Sequence, residues 1–183
     1  MSTKGVALME SHSLNKQNLT IRILNYISTG FALVLLALQF LPFWSCFRCL
    51  TCGDGKVISI FEYVWFAKNH SEGLTSILQT FYFKDFMAMD VVGSAVLIQL
   101  CSIGALILSI ARPTKCSTAL LPLIVGIAAI VGYLDPVYQL GQNWVIHLVV
   151  GIITLVCALT AILFGFFASY KRTQRQVIAD MAQ

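Results

Sequence analysis

Four long apolar blocks constrain this chain more than anything else in it: Ile23 to Phe43, Val91 to Ala111, Cys116 to Leu134 and Val145 to Phe167, none containing a Lys or Glu. A hydrocarbon core about 30 Å thick takes roughly 20 apolar residues of helix at ~1.5 Å rise per residue, and each block is close to that length. The apolar residues are gathered in these blocks instead of recurring with the period of an amphipathic helix or strand. Of the 183 residues, 58% are hydrophobic and 11% charged, against about 25% charged in an average soluble domain. No water-soluble fold of this length hides so much apolar surface. The expected fold is therefore an all-α membrane protein, a four-helix up-down transmembrane bundle.

The first block is read as a retained span. Its apolar run exceeds the roughly 7 to 15 residues of a signal-peptide core, and no A-x-A site follows it. Large aromatics at Phe43 and Trp44 stand where small residues would precede a lipidated Cys46.

Lys and Arg resist translocation, so their placement beside the spans sets orientation. Lys4, Lys16, Arg22, Arg112, Lys115, Lys171, Arg172 and Arg175 fall on one side. Arg48, Lys56, Lys68 and Lys84 fall on the other, diluted over a long loop with Asp54, Glu62, Glu72 and Asp85. The expectation is a multi-pass protein of the plasma (cytoplasmic) membrane with both termini cytoplasmic. The net charge of +4 is mostly this topological signal, and the same bases attract anionic lipid at about 1 kcal/mol each. Nucleic acid is not an expected partner.

The expected map is a cytoplasmic lead over 1–22, spans at 23–43, 91–111, 116–134 and 145–167, an outer loop over 44–90, a cytoplasmic turn at 112–115, an outer turn at 135–144 and a tail at 168–183. The lead is polar, without an apolar period, and reads as flexible. Arg112-Pro113-Thr114-Lys115 is too short for anything but an antiparallel hairpin between the second and third spans. Close helix contact in lipid needs small residues one turn apart. Cys157, Ala161 and Gly165, Ala128 and Gly132, and Cys101, Ala105 and Ser109 supply them. These stripes pack the bundle internally or join subunits, the internal reading being preferred. Trp44, Tyr133, Tyr138, Trp144 and Tyr170 are placed for an interfacial aromatic belt.

In the outer loop, Gly53-Asp54-Gly55 is a turn signal, and Val57 to Phe66 is rich in β-formers and apolar on both faces. Ser71 and Glu72 suit a helix start, followed by Leu74, Ile77, Leu78 and Phe81 at helical spacing. A small extracytoplasmic β-hairpin and a short helix are expected there.

Three thiols, Cys46, Cys49 and Cys52, follow the first span. A Cys-x-x-Cys pair cycles between dithiol and disulfide, and the Arg48 guanidinium favours thiolate. Cys46, Cys49, Cys52 and His70 also make a Cys₃His zinc set. The third reading is a structural disulfide with one thiol over, or three reduced thiols. Cys101, Cys116 and Cys157 read as small packing residues. Among polar groups, Gln99 lies near mid-span and is expected to bond a neighbouring helix. Asp90, Asp135 and His147 are expected near the outer surface, Asp90 and His147 making a conceivable shallow site. No hydrolytic triad, Walker loop or kinase motif is present.

The Cys46/Cys49 placement resembles the quinone-dependent disulfide-generating membrane proteins of the DsbB family, which implies a quinone cofactor. Those proteins carry a second cysteine pair in a loop where this chain has only Leu134 to Asn143, without cysteine. Leu41-Pro42-Phe43-Trp44, Ser59 to Phe66 and His70 resemble uncharacterised four-span proteins of anaerobic Gram-positive bacteria, a resemblance that implies no activity. In layout the chain is similar to claudin-like tetraspans, without their Gly-Leu-Trp and paired cysteines. Large-pore channel subunits share the four-span layout but have cysteines in both outer loops. The leading expectation is a non-enzymatic tetraspan acting through its outer loop as an interaction, accessory or oligomeric pore subunit, with the lipid bilayer and a membrane protein or its own copy as partners. The alternative is a membrane thiol-disulfide oxidoreductase using Cys46 and Cys49.

Overall fold

A computed structural model describes residues 3–45, 57–61, 64, 87–135, 139 and 143–181. Its helices are α1 (Thr3–Leu38), α2 (Met87–Ala111), α3 (Leu120–Tyr133, entered through a 3₁₀ turn at Cys116–Ala119) and α4 (Trp144–Met181). Four segments are long and apolar enough to cross a membrane: Asn15–Leu38, Gly93–Ala111, Cys116–Tyr133 and Trp144–Lys171. α1 packs on α2 and α4, and α3 packs on the same two, so consecutive helices are neighbours and the fourth closes against the first.

The inward faces repeat with alternating spacings of four and three. In α1 the buried positions include Ile21, Asn25, Ser28, Ala32, Leu35 and Gln39; in α4 they are His147, Gly151, Thr154, Ala158, Ala161, Gly165 and Ala168. α2 buries Ala95, Ile98, Ser102, Ala105 and Ser109 in the same register. This is the spacing of a left-handed bundle's seam. Most of its residues are small or polar, Ile21, Leu35 and Ile98 excepted, whereas Leu100, Ile107, Ile110, Val131 and Phe166 point outward and are exposed. Large apolar groups outside and small ones inside is the arrangement lipid favours, because hydrophobicity gives no drive for helices to pack there.

Glycine brings α3 and α4 together. A Cβ on Gly126 would lie 2.8 Å from the Leu155 backbone, one on Gly151 would lie 2.7 Å from the Ala129 Cβ, and one on Gly165 would collide with the Cys116 Cβ. The small-residue stripes are thus spent inside the bundle: Ala105, Ser109, Ala128, Gly132, Ala161 and Gly165 are buried, with Cys101 and Cys157 half-buried beside them.

Three sequence expectations shift. The polar lead is not flexible coil from residue 3 onward, since α1 is continuous from Thr3; a helix nucleated by the apolar span propagates cheaply into a lead free of Pro. Helix α1 ends at Leu38, five residues before Phe43, through 3₁₀-type bonds from the Gln39, Phe40 and Leu41 amides to Leu36, Ala37 and Leu38. Pro42 disfavours helical backbone at Leu41. The chain then enters β1 (Pro42–Ser45), which pairs antiparallel with β2 (Val57–Ser59), Pro42 opposite Ser59 and Ser45 opposite Val57. Of the strand expected over Val57 to Phe66, Val57–Ser59 forms β2 and Ile60 and Phe61 are helical, while Glu62, Tyr63, Trp65 and Phe66 lie outside the described residues. The turn expected at Gly53-Asp54-Gly55 and the helix expected from Ser71 lie outside the described residues.

Candidate functional site: a polar cluster at the sheet end of the bundle

The two ends of the bundle differ. The end where the spans meet Arg22, Arg112, Lys115 and Lys171 is the basic end, and the end that carries β1 and β2 is the sheet end.

Toward the sheet end each helix brings a buried polar side chain: Gln39 just after α1, Gln99 from α2, Tyr133 from α3 and His147 from α4. The Gln99 Nε2 donates to the Gln39 Oε1 at 2.8 Å. One residue back, the Leu38 carbonyl lies 3.3 Å from His147 Nε2, while His147 Nδ1 lies 3.0 Å from the carbonyl of Asn143. Asn143 enters α4 with φ 61°, a left-handed backbone that Asn tolerates. Both ring nitrogens of a histidine 2% exposed thus face backbone acceptors. A neutral imidazole donates to one of them and an imidazolium to both.

Aromatic packing closes the cluster. Phe43, carried inward by β1, meets the His147 ring edge-on at 4.9 Å between centroids, and Tyr133 stands 5.0 Å from the same imidazole. Phe43 and Ile60 have no exposed surface. The Phe61 amide donates to the Gln39 carbonyl at 3.0 Å, and Phe61 stacks on Phe40 at 4.4 Å. Gln39 is therefore a junction, its side chain reaching α2 and its backbone holding the segment after β2.

The basic end has its own fastening. Asn25 Nδ2 donates to the carbonyls of Pro113 and Lys115 at 2.8 and 3.0 Å, and the Thr118 hydroxyl donates to the Arg112 carbonyl at 2.7 Å. The α2–α3 connection is thus clipped to α1 at a buried amide.

Of the residues singled out in sequence, Gln99 bonds a neighbouring helix as expected. His147 lies at the sheet end of α4 but is enclosed there, and Tyr133, expected in an interfacial belt, is 1% exposed. The reason for both is β1, which folds Phe43 over the bundle mouth. Tyr170 is exposed and Trp144 half-buried. Cys46, Cys49, Cys52 and His70, the candidate redox pair and zinc set, lie outside the described residues, as do the side chains of Trp44, Tyr138 and Asp90. Among the described residues no three His, Cys, Asp or Glu side chains gather as a metal site. Cys101, Cys116 and Cys157 are free thiols. Sequence reasoning does not single out Asn25 and Gln39, the two amides of the first apolar block. Their separation of two heptads, with Ala32 midway, is the signal that finds them. No protein-family model, curated protein or solved structure matches this chain.

Proposed function

We propose that this chain is a multi-pass protein of the plasma membrane, its basic end cytoplasmic, acting as a non-enzymatic interaction, accessory or oligomeric pore subunit through the loop at the sheet end. The observation that supports it most is the anchoring of that loop. Its first part, residues 46–56, is bracketed by β1 and β2, which pair, and Phe43 and Ile60 are wholly buried in the bundle. A cluster drawn from all four helices holds this base, which suits a platform on which loop residues 46–56 and 65–86 meet a partner. The small-residue seams are consumed within one chain, so an assembly through the loop fits better than one through the spans.

The test is purification in mild detergent of the wild type and of a variant with residues 65–86 replaced by a Gly-Ser linker. The expected result is a homo-oligomer or a stoichiometric membrane partner with the wild type, lost in the variant while thermal unfolding of the bundle is unchanged. A wild type that runs as a clean monomer without co-purifying protein rejects the proposal.

The second reading is the thiol-disulfide oxidoreductase. Cys46 directly follows Ser45, the last residue of the anchored strand β1, and such a fixed flank suits a Cys46/Cys49 pair. Oxidation of that dithiol releases two electrons and two protons, which a quinone accepts in becoming quinol. Full function in vivo of a Cys49→Ser variant rules it out.

A further inference from the structure

We propose that the basic end is a built docking surface for the headgroups of anionic phospholipid, centred on Arg22, Arg112 and Lys115. The inference rests on the membrane reading above and adds a specific ligand surface to it.

Three elements are brought together there by contacts already described. Asn25 of α1 holds the carbonyls of Pro113 and Lys115, and Cys116 lies against Gly165 of α4 closely enough to exclude a Cβ. Arg22 is one turn before Asn25, and Lys171 lies about 9 Å of helix rise beyond Gly165. Lys16, Arg22, Arg112, Lys115 and Lys171 are all exposed. Among the described side chains the only carboxylate is Asp135, at the sheet end of α3.

Two features make this more than a scatter of charges. The loop that carries Arg112 and Lys115 is rigid, closed by the Lys115 amide on the Arg112 carbonyl at 3.2 Å and by Thr118 and Asn25. The Arg22 guanidinium lies over the Tyr26 ring at 5.5 Å, with Nε donating to the Tyr26 hydroxyl at 3.3 Å. That pins Arg22 beside an exposed aromatic at the margin of the apolar band, the depth of a phosphate headgroup. A planar guanidinium binds phosphate oxygens in pairs, and an ammonium adds a point charge.

The experiment is native mass spectrometry of the full chain in dodecylmaltoside micelles doped with phosphatidylglycerol or phosphatidylcholine, on the wild type and on an Arg22→Gln/Arg112→Gln/Lys115→Gln variant. Retention of phosphatidylglycerol over phosphatidylcholine is expected, weakening about fivefold per cation removed and on the order of a hundredfold for all three. An Asn25→Ala variant keeps every charge and is expected to lose part of the preference by freeing the loop. If the triple variant does not fold, Arg112→Gln/Lys115→Gln replaces it with an expected loss of about 25-fold. Equal retention of the two lipids by the wild type overturns the proposal, as does displacement of phosphatidylglycerol by millimolar inorganic phosphate, which would mark a soluble-anion site. Extraction of the wild type from membranes by alkaline carbonate without detergent overturns the membrane reading itself and is scored separately.

Discussion

Gly126 and Gly151 carry the α3–α4 contact because each faces a group that cannot withdraw, the Leu155 backbone in one case and the Ala129 Cβ in the other. Gly126→Ala and Gly151→Ala are each expected to destabilise the bundle by about 1–3 kcal/mol, the usual effect of overpacking. Gly30 has nothing within 4 Å of a built Cβ. Gly30→Ala should leave stability unchanged or raise it by up to about 1 kcal/mol through helix propensity. Thermal unfolding in detergent separates the two groups, and equal effects at all three positions would remove glycine packing as the explanation. At the sheet end, Gln99→Leu deprives the Gln39 side-chain Oε1 of its 2.8 Å donor. Interhelical hydrogen bonds in membranes contribute about 0.6 kcal/mol on average and at most ~1.7, and the same unfolding assay is expected to show a loss in that range.

Helix α1 and strand β1 meet at Pro42, and this junction decides what happens to the loop. The 3₁₀ tightening after Leu38 turns the chain so that Phe43 enters the bundle instead of prolonging the helix. Phe43→Ala removes the ring packed on His147 and Tyr133, a truncation that typically costs about 3–5 kcal/mol in a core. The expected consequence is local: faster hydrogen exchange at β1, β2 and the Phe61 amide, with the amides of α2 and α3 still protected. Uniform acceleration throughout the helices would mean that the sheet is integral to the bundle and not a base fastened upon it. The element boundaries were only partly legible in advance. The end of the apolar run at Phe43 marked where hydrophobicity stops, while the helix stops where Pro42 disfavours it.

At the scale of the whole molecule, the bundle presents large apolar residues outward and mostly small or polar ones inward, with exposed cations framing one end and a strand pair the other. The proposed orientation rests on the cations. A C-terminal fusion is expected to fluoresce as a cytoplasmic reporter and to be silent as a phosphatase that needs export; the opposite pattern reverses the topology. Alkylation mass spectrometry before and after reduction, with metal analysis, addresses the loop thiols in the same preparation. Under the platform reading Cys46, Cys49 and Cys52 are expected to hold neither a reversible Cys46/Cys49 disulfide nor zinc, and finding either moves the chain to the corresponding chemical reading.

The sequence by itself determined the four spans, their hairpin order and the charge asymmetry, because span length and positive-charge placement act on each segment locally, through the solvent the segment meets. It also carried the seam, in the four-three spacing of Asn25, Ser28, Ala32, Leu35 and Gln39, though the apolar blocks around that pattern conceal it. Only the tertiary structure decided that Gln99 finds Gln39, that Asn25 clips the Pro113–Lys115 connection, and that His147 and Tyr133 lie beneath Phe43. Each of those depends on which helix faces close and at what depth, and the deciding interactions are backbone contacts at glycine and hydrogen bonds to carbonyls. Such groups are common to nearly every residue, so a one-dimensional pattern does not mark them.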